Sequence, residues 1–212
     1  MDRLTFFALT HDFDTWKAHV KPTEWLRLID LNQLGLSEPY CDPQLAESRF
    51  WFSDVATRTD SEYVGFGSAR WNDKWCVRGG RQTKLEDISA VCCPRLSEHS
   101  ILAIWPTGPD WDKPSSSYHH GMQPYLDELA QVTGMNYNHT SFWANSFICH
   151  KQIFIRFQEY FKQTFKHFYD KYQFNYDYYV APGCEQRRAA FFFERVSMLF
   201  FANNGLDIQW IP

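Results

Sequence analysis

Four short, mostly apolar runs, Leu4–Thr10, Trp25–Leu31, Tyr63–Ala69 and Ser100–Trp105, are of strand length and too short for core helices. A strand with apolar side chains on both faces must be covered on both, as in the middle of a parallel sheet. Helical stretches separate these runs. Asp14–Val20 is a short helix candidate closed by Pro22. Asp42 followed by Pro43 reads as an N-cap with proline at the first helical position, opening a helix that continues to about Thr57. Strands alternating with helices predict an α/β domain with a mainly parallel, doubly wound sheet and helices on both faces. Ligands of such sheets sit beyond the C-terminal ends of the strands.

Residues 106–122, rich in Pro, Gly, Ser and His, read as one long loop of the kind that serves as a lid or binding loop. Phe142–Cys149 is the next strand candidate. In the helix after it Phe154, Phe157, Phe161, Phe165, Phe168 and Tyr172 recur at steps of three and four, which is a core stripe and not a cofactor box. A last helix, Glu185–Asn203, stops before Gly205 as a C-cap requires, and Leu206–Ile211 forms a final strand.

At 212 residues the chain is expected to form one domain. Its net charge is -4 with scattered Lys and Arg, which argues against a protein that tracks a nucleic-acid backbone. No apolar run approaches the ~20 residues of a membrane span, and the N-terminus lacks the pattern of a signal peptide. Cys41, Cys76, Cys92, Cys93, Cys149 and Cys184 show no Cys-x-x-Cys pair, so free thiols and a cytoplasmic location are expected. Aromatic residues make up 18% of the chain, enough to fill a core and still leave flat faces for stacking on sugars.

Glu38-Pro39-Tyr40-Cys41-Asp42-Pro43-Gln44-Leu45-Ala46-Glu47-Ser48-Arg49-Phe50-Trp51-Phe52, followed by Tyr63-Val64-Gly65-Phe66-Gly67-Ser68-Ala69-Arg70-Trp71, resembles a bacterial family of glycosyltransferases. In that family a Tyr-Cys-Glu-Leu-Thr helix precedes a Tyr-Ile-Gly-Leu strand and a His-Tyr-Arg-Arg box. Asn145-Ser146-Phe147-Ile148 is similar to its Asn-Met-Phe-Ile motif, and Arg188–Val196 to its Arg-x-x-Gly-Phe-x-x-Glu-Arg-Leu motif. The chain also resembles the amino-terminal modules of the multidomain glycosyltransferases with which large algal viruses decorate their capsids, which implies further domains in the same polypeptide. The resemblance implies a GT-A (Rossmann-like) fold with a mixed, mainly parallel central sheet. It further implies transfer of a hexose or 6-deoxyhexose from a nucleotide sugar, UDP-linked, to a glycan acceptor, with Mn2+ or Mg2+ as cofactor. Of the box only Arg70 is retained, Ser68 and Ala69 standing in place of His and Tyr. The two Asp-x-Asp triplets, Asp12-Phe13-Asp14 and Asp110-Trp111-Asp112, lie away from the third strand, so Asp73 is the nearest carboxylate for a metal ion.

Transfer from a nucleoside diphosphate needs charge neutralisation at the leaving group and, in inverting enzymes, a base for the acceptor hydroxyl. Thr10, His11 and Asp12 end the first strand, and Ser68, Ala69 and Arg70 the third, so these are the expected donor-binding residues. Asp12 or Asp14 would equally serve as a simple N-cap. Arg49 shares a helical face with Leu45 and Phe52 and should turn toward the sheet, to be paired there by a diphosphate or by a carboxylate. Asp73 and Glu194 are the catalytic candidates, Glu194 having pairing with Arg195 or Arg187 as its alternative. His119, His120, Trp143 and Asn145 are the candidates for acceptor binding. The competing expectation is a catalytically inactive carbohydrate-binding module, suggested by the displaced Asp-x-Asp and the aromatic excess.

Overall fold

The computed structural model describes residues 3–73, 83–103, 119–136 and 145–211. Within them six strands, β1 Leu4–Thr10, β2 Leu26–Asp30, β3 Tyr63–Ser68, β4 Ser100–Ala103, β5 Phe147–His150 and β6 Asp207–Trp210, form one sheet in the order β2-β1-β3-β5-β4-β6. β1 pairs in parallel with β2 and β3, and β4 with β6, while β5 runs antiparallel between β3 and β4. The sheet is therefore mixed and mainly parallel, with one reversed strand near its middle.

Successive residues of the strands point to opposite faces, and both faces are covered. Phe7, Leu9, Val64, Phe66, Ile101 and Phe147 pack on the larger helical layer. That layer holds α3 Gln123–Thr133, α4 Lys151–Tyr172, α5 Arg188–Asn203 and a 3-10 helix, Pro43–Phe52. The opposite face presents Phe6, Ala8, Tyr63, Leu102 and Ile148 to Trp71 and to α2 Ile88–Cys92. The aromatic stripe of α4 is core as expected: Phe154, Phe157, Phe161, Phe165 and Phe168 are all buried. Each such ring adds about 1.5–3 kcal/mol through area removed from water.

The predicted helix after Asp42 forms differently. Asp42 is the N-cap, accepting from the Gln44 amide, but the element is a 3-10 helix broken at Ala46, whose φ is 48°. The break turns the Ala46 carbonyl toward Arg49. The C-terminal end of this helix is closed by Gln158 of α4, whose amide donates to the carbonyls of Trp51 (2.9 Å) and Ser53 (2.8 Å). The predicted Asp14–Val20 helix shrinks to one turn, α1 Phe13–Trp16. α2 and α3 were not foreseen, although α3 has its proline in the first turn and Gly134 as a left-handed C-cap.

Glycine in β3 has a packing reason. A Cβ on Gly67 would stand 2.6 Å from the Trp71 ring, and one on Gly65 would stand 2.4 Å from Phe6. The bare backbone lets Phe6 and Trp71 meet edge to face at 5.4 Å. Trp71, which is buried and donates through its indole N–H to the Thr83 carbonyl, thereby anchors the chain directly after Arg70.

Candidate functional site

Because β5 is reversed, its beginning lies at the same edge as the ends of β1 and β3, and these three strands are neighbours. The edge therefore collects Thr10–Asp12, Ser68–Arg70 and Asn145. α5 leads into β6, which runs in the β1 direction, so the first turn of α5 stands over the same edge.

At the end of β1 the Thr10 hydroxyl accepts from the Asp12 amide, and Asp12 caps α1 by accepting from the Thr15 amide. Asp14 is paired with Lys17 at 2.6 Å. Both carboxylates of the first triplet thus have local partners, as the N-cap alternative for Asp12 expects. His11 is exposed as a residue, but its inner nitrogen, Nδ1, accepts from Arg49 Nη2.

Arg49 turns toward the sheet and is only 3% exposed. Its Nε donates to the Ala46 carbonyl, Nη1 to the Cys41 carbonyl (3.1 Å) and to Asn32 Oδ1, and Nη2 to Asn32 Oδ1 and His11 Nδ1. A guanidinium has five N–H bonds, and these contacts employ all five. Burial pulls the Arg49 pKa down, and the carboxylates of Asp30, Asp42 and Glu47 oppose that. The pairing expected from a diphosphate or one carboxylate is supplied here by neutral acceptors of the chain itself.

At the end of β3, Ser68 is buried and its hydroxyl accepts from the Arg70 amide, while the buried Ala69 donates its amide to the Leu9 carbonyl. The Arg70 side chain is exposed and forms no hydrogen bond or ion pair among the described residues. Asp73, three residues on, is exposed. Asn145, at the entrance to β5, is 9% exposed, yet among the described residues neither its Oδ1 nor its Nδ2 has a hydrogen-bond partner. A buried amide with both ends unmet is uncommon and calls for an explanation in terms of a ligand or water.

Arg187, which the sequence offered only as a partner for Glu194, and Phe191 and Tyr178, which sequence reasoning did not place in the site, join these residues to the histidines of the long loop. The Arg187 guanidinium lies 5.0 Å from the Phe191 ring centre, near enough to His11 to disfavour its protonation. His119 stacks on the same Phe191 at 4.7 Å and meets Tyr178 edge to face. Burial, followed by the charge of Arg195, lowers the His119 pKa to about 4, and its Nδ1 is buried without a partner among the described residues. The i, i+4 spacing of Arg187, Phe191 and Arg195 was the available signal for this helix face. His120 is exposed beside Tyr179, with ring centres 6.0 Å apart. Glu194 is ion-paired with Arg195 at 3.3 Å, the two side chains being 13% and 6% exposed, which is the pairing named as its alternative.

Trp143, the triplet Asp110-Trp111-Asp112, Cys76 and most of the 106–122 loop lie outside the described residues. The other five cysteines are free thiols. Among the described residues no three His, Cys, Asp or Glu side chains gather as a metal site, and no helix is long and apolar enough to cross a membrane. An open groove of about 500 Å³ lined by Pro124, Asp127, Glu128, Gln131, Val132, His167 and Lys171 lies elsewhere, and in it the Glu128 carboxylate bonds both Lys171 and His167. Compared with known proteins, the chain matches no family model, no curated protein and no solved structure.

Proposed function

We propose that the chain is a GT-A glycosyltransferase that binds a nucleotide sugar, UDP-linked, across the ends of β1 and β3 and the start of β5, and passes a hexose or 6-deoxyhexose to a glycan. The observation that carries this reading is the set of polar groups on three neighbouring strands that have no partner among the described residues: His11 Nε2, the Arg70 guanidinium and the Asn145 amide. A sugar diphosphate needs cationic donors for its phosphates and amide-type partners for its hydroxyls, and this edge offers both. The mixed, mainly parallel sheet with helices on both faces agrees with the fold implied by the resemblance.

In this reading Arg70 contacts the diphosphate, with Arg187 as a second cation, and Ser68 and Thr10 shape the floor. The Asn145 amide takes a sugar hydroxyl. His119 and His120, with the Phe191 and Tyr179 rings, form the acceptor side, to which Trp143 would add a stacking face. The described carboxylates do not form a cation cradle: Asp12 caps a helix, Asp14 is paired, and Asp73 stands alone. A Mn2+ or Mg2+ ion would take one ligand from Asp73 and the rest from the diphosphate.

The pairing of Glu194 with Arg195 favours a second reading, an inactive carbohydrate-binding module, because the expected base is already engaged. Calorimetry with UDP and a thermal-shift series of nucleotide sugars, with and without manganese, test the first reading, since a ligand of the folded state raises its melting temperature. Absence of affinity for any nucleoside diphosphate would overturn it. Donor hydrolysis by the isolated chain separates the enzyme from the module.

A further inference from the structure

We propose that Arg49 is a positioning residue that fixes His11 as a neutral imidazole with its proton on Nε2, so that β1 ends in a directed N–H donor to the ligand's phosphate. What His11 meets rests on the nucleotide-sugar reading above. The state of its ring does not.

Arginine only donates, so the nitrogen that faces Arg49 Nη2 must carry a lone pair. That nitrogen is Nδ1, and a neutral ring then keeps its one proton on Nε2. The geometry is closed by a third residue. Asn32 Oδ1 accepts from both terminal nitrogens of Arg49, and Asn32 Nδ2 donates to the His11 carbonyl at 2.9 Å. Arg49 holds the ring of His11, Asn32 holds its backbone, and each holds the other.

Arg49 itself has nothing left to offer a ligand, because its five N–H bonds are met by the Ala46 and Cys41 carbonyls, Asn32 and His11. Any effect it has on binding must pass through those partners. His11 is surrounded by opposed charges: Glu47 and Asp30 favour its protonation, while Arg49 and Arg187 disfavour it, and burial of its inner edge is the largest influence and also favours the neutral ring. Protonation would in addition set an N–H against an N–H of Arg49. The other nitrogen, Nε2, forms no hydrogen bond among the described residues, and His11 is exposed as a residue.

The test uses the full chain with 15N-labelled histidine. Long-range 1H–15N spectra at neutral pH should give His11 as the Nε2–H tautomer, and Arg49→Lys, which keeps a charge but loses the fork, should mix the tautomers and move the ring's titration upward. A wild-type ring that is protonated or carries its proton on Nδ1 overturns the proposal, and this measurement stands even where Arg49→Lys does not fold. UDP binding by calorimetry tests the ligand half. His11→Asn keeps an acceptor for Arg49 but has no group at the Nε2 position, so it should melt like the wild type and bind UDP about tenfold more weakly, as expected for one charge-assisted hydrogen bond. His11→Gln places a donor near the Nε2 position and should recover most of that loss. Wild-type affinity in His11→Asn would overturn the ligand half. A wild-type chain with the Nε2–H tautomer but no affinity for UDP would strike the nucleotide-sugar reading and leave the fixing of the ring by Arg49 standing.

Discussion

The Trp71 ring occupies the space that a Cβ on Gly67 would need, its Cε3 and Cζ3 atoms lying 2.6 and 2.7 Å from that position. Trp71 has little freedom to yield, being fully buried and tied by its indole N–H to the Thr83 carbonyl at 2.9 Å. Gly67→Ala should therefore destabilise the fold by about 1–3 kcal/mol, the usual cost of overpacking. Urea denaturation measures it. An unchanged midpoint would mean that Trp71 moves aside freely and does not anchor the segment from Arg70 to Asp73.

Asn145 leads to the opposite expectation for stability. Its amide is buried and unmet at both ends among the described residues, so Asn145→Leu removes an uncompensated desolvation cost at nearly constant volume. The variant should be as stable as the wild type or more stable by about 1 kcal/mol, while transfer activity falls. A large loss of stability would show that the amide is satisfied in solution by the protein itself.

Arg70 tests the donor edge directly. Its guanidinium is exposed and without a hydrogen bond or ion pair among the described residues, so Arg70→Ala should leave the melting temperature unchanged. Loss of a charge-assisted donor to the leaving diphosphate should lower turnover about a hundredfold to a thousandfold, about 2.7–4 kcal/mol by analogy with a lost oxyanion donor. Wild-type turnover would leave Arg70 as ordinary surface.

Far from the edge, Glu128 ties α3 to α4. Partial burial would raise its pKa, but hydrogen bonds from Lys171, Tyr172 and His167 outweigh that and hold it at about 2, below the ordinary 4.5. A folded-state pKa below the unfolded one stabilises the fold above the ordinary carboxylate range, and that contribution is lost as pH falls from 4.5 toward 2. Because Lys171 and His167 are 54% and 43% exposed, solvent screens the pair and the gain is about 1 kcal/mol. Glu128→Gln should be less stable than the wild type by that amount at pH 7, and the two denaturation curves should converge near pH 2. A difference that persists in acid would assign the effect to packing.

How much of this was legible beforehand follows from what is local. β1, β2 and β3 and the Phe154–Phe168 stripe were readable because a strand covered on both faces and an amphipathic helix each leave a repeating pattern over a few residues. The inward turn of Arg49 was readable for the same reason. The kink at Ala46 was not, since nothing around that alanine marks a residue with φ of 48°; packing of Leu45, Phe50 and Trp51 into the core decides it. α3 carried its proline and glycine signals but lay beside a segment whose composition reads as loop. For the candidate site, the apolar runs alone mark which residues end the strands, and so place His11, Ser68 and Arg70 on one edge. Only the tertiary structure decided that Arg49 is met by Asn32, His11 and the Cys41 carbonyl, and that Arg187 and Phe191 link the two histidine-bearing segments. A buried guanidinium must be satisfied by whatever acceptors the fold brings to it, and two of these, Asn32 and His11, come from other segments of the chain, beyond the reach of any local period.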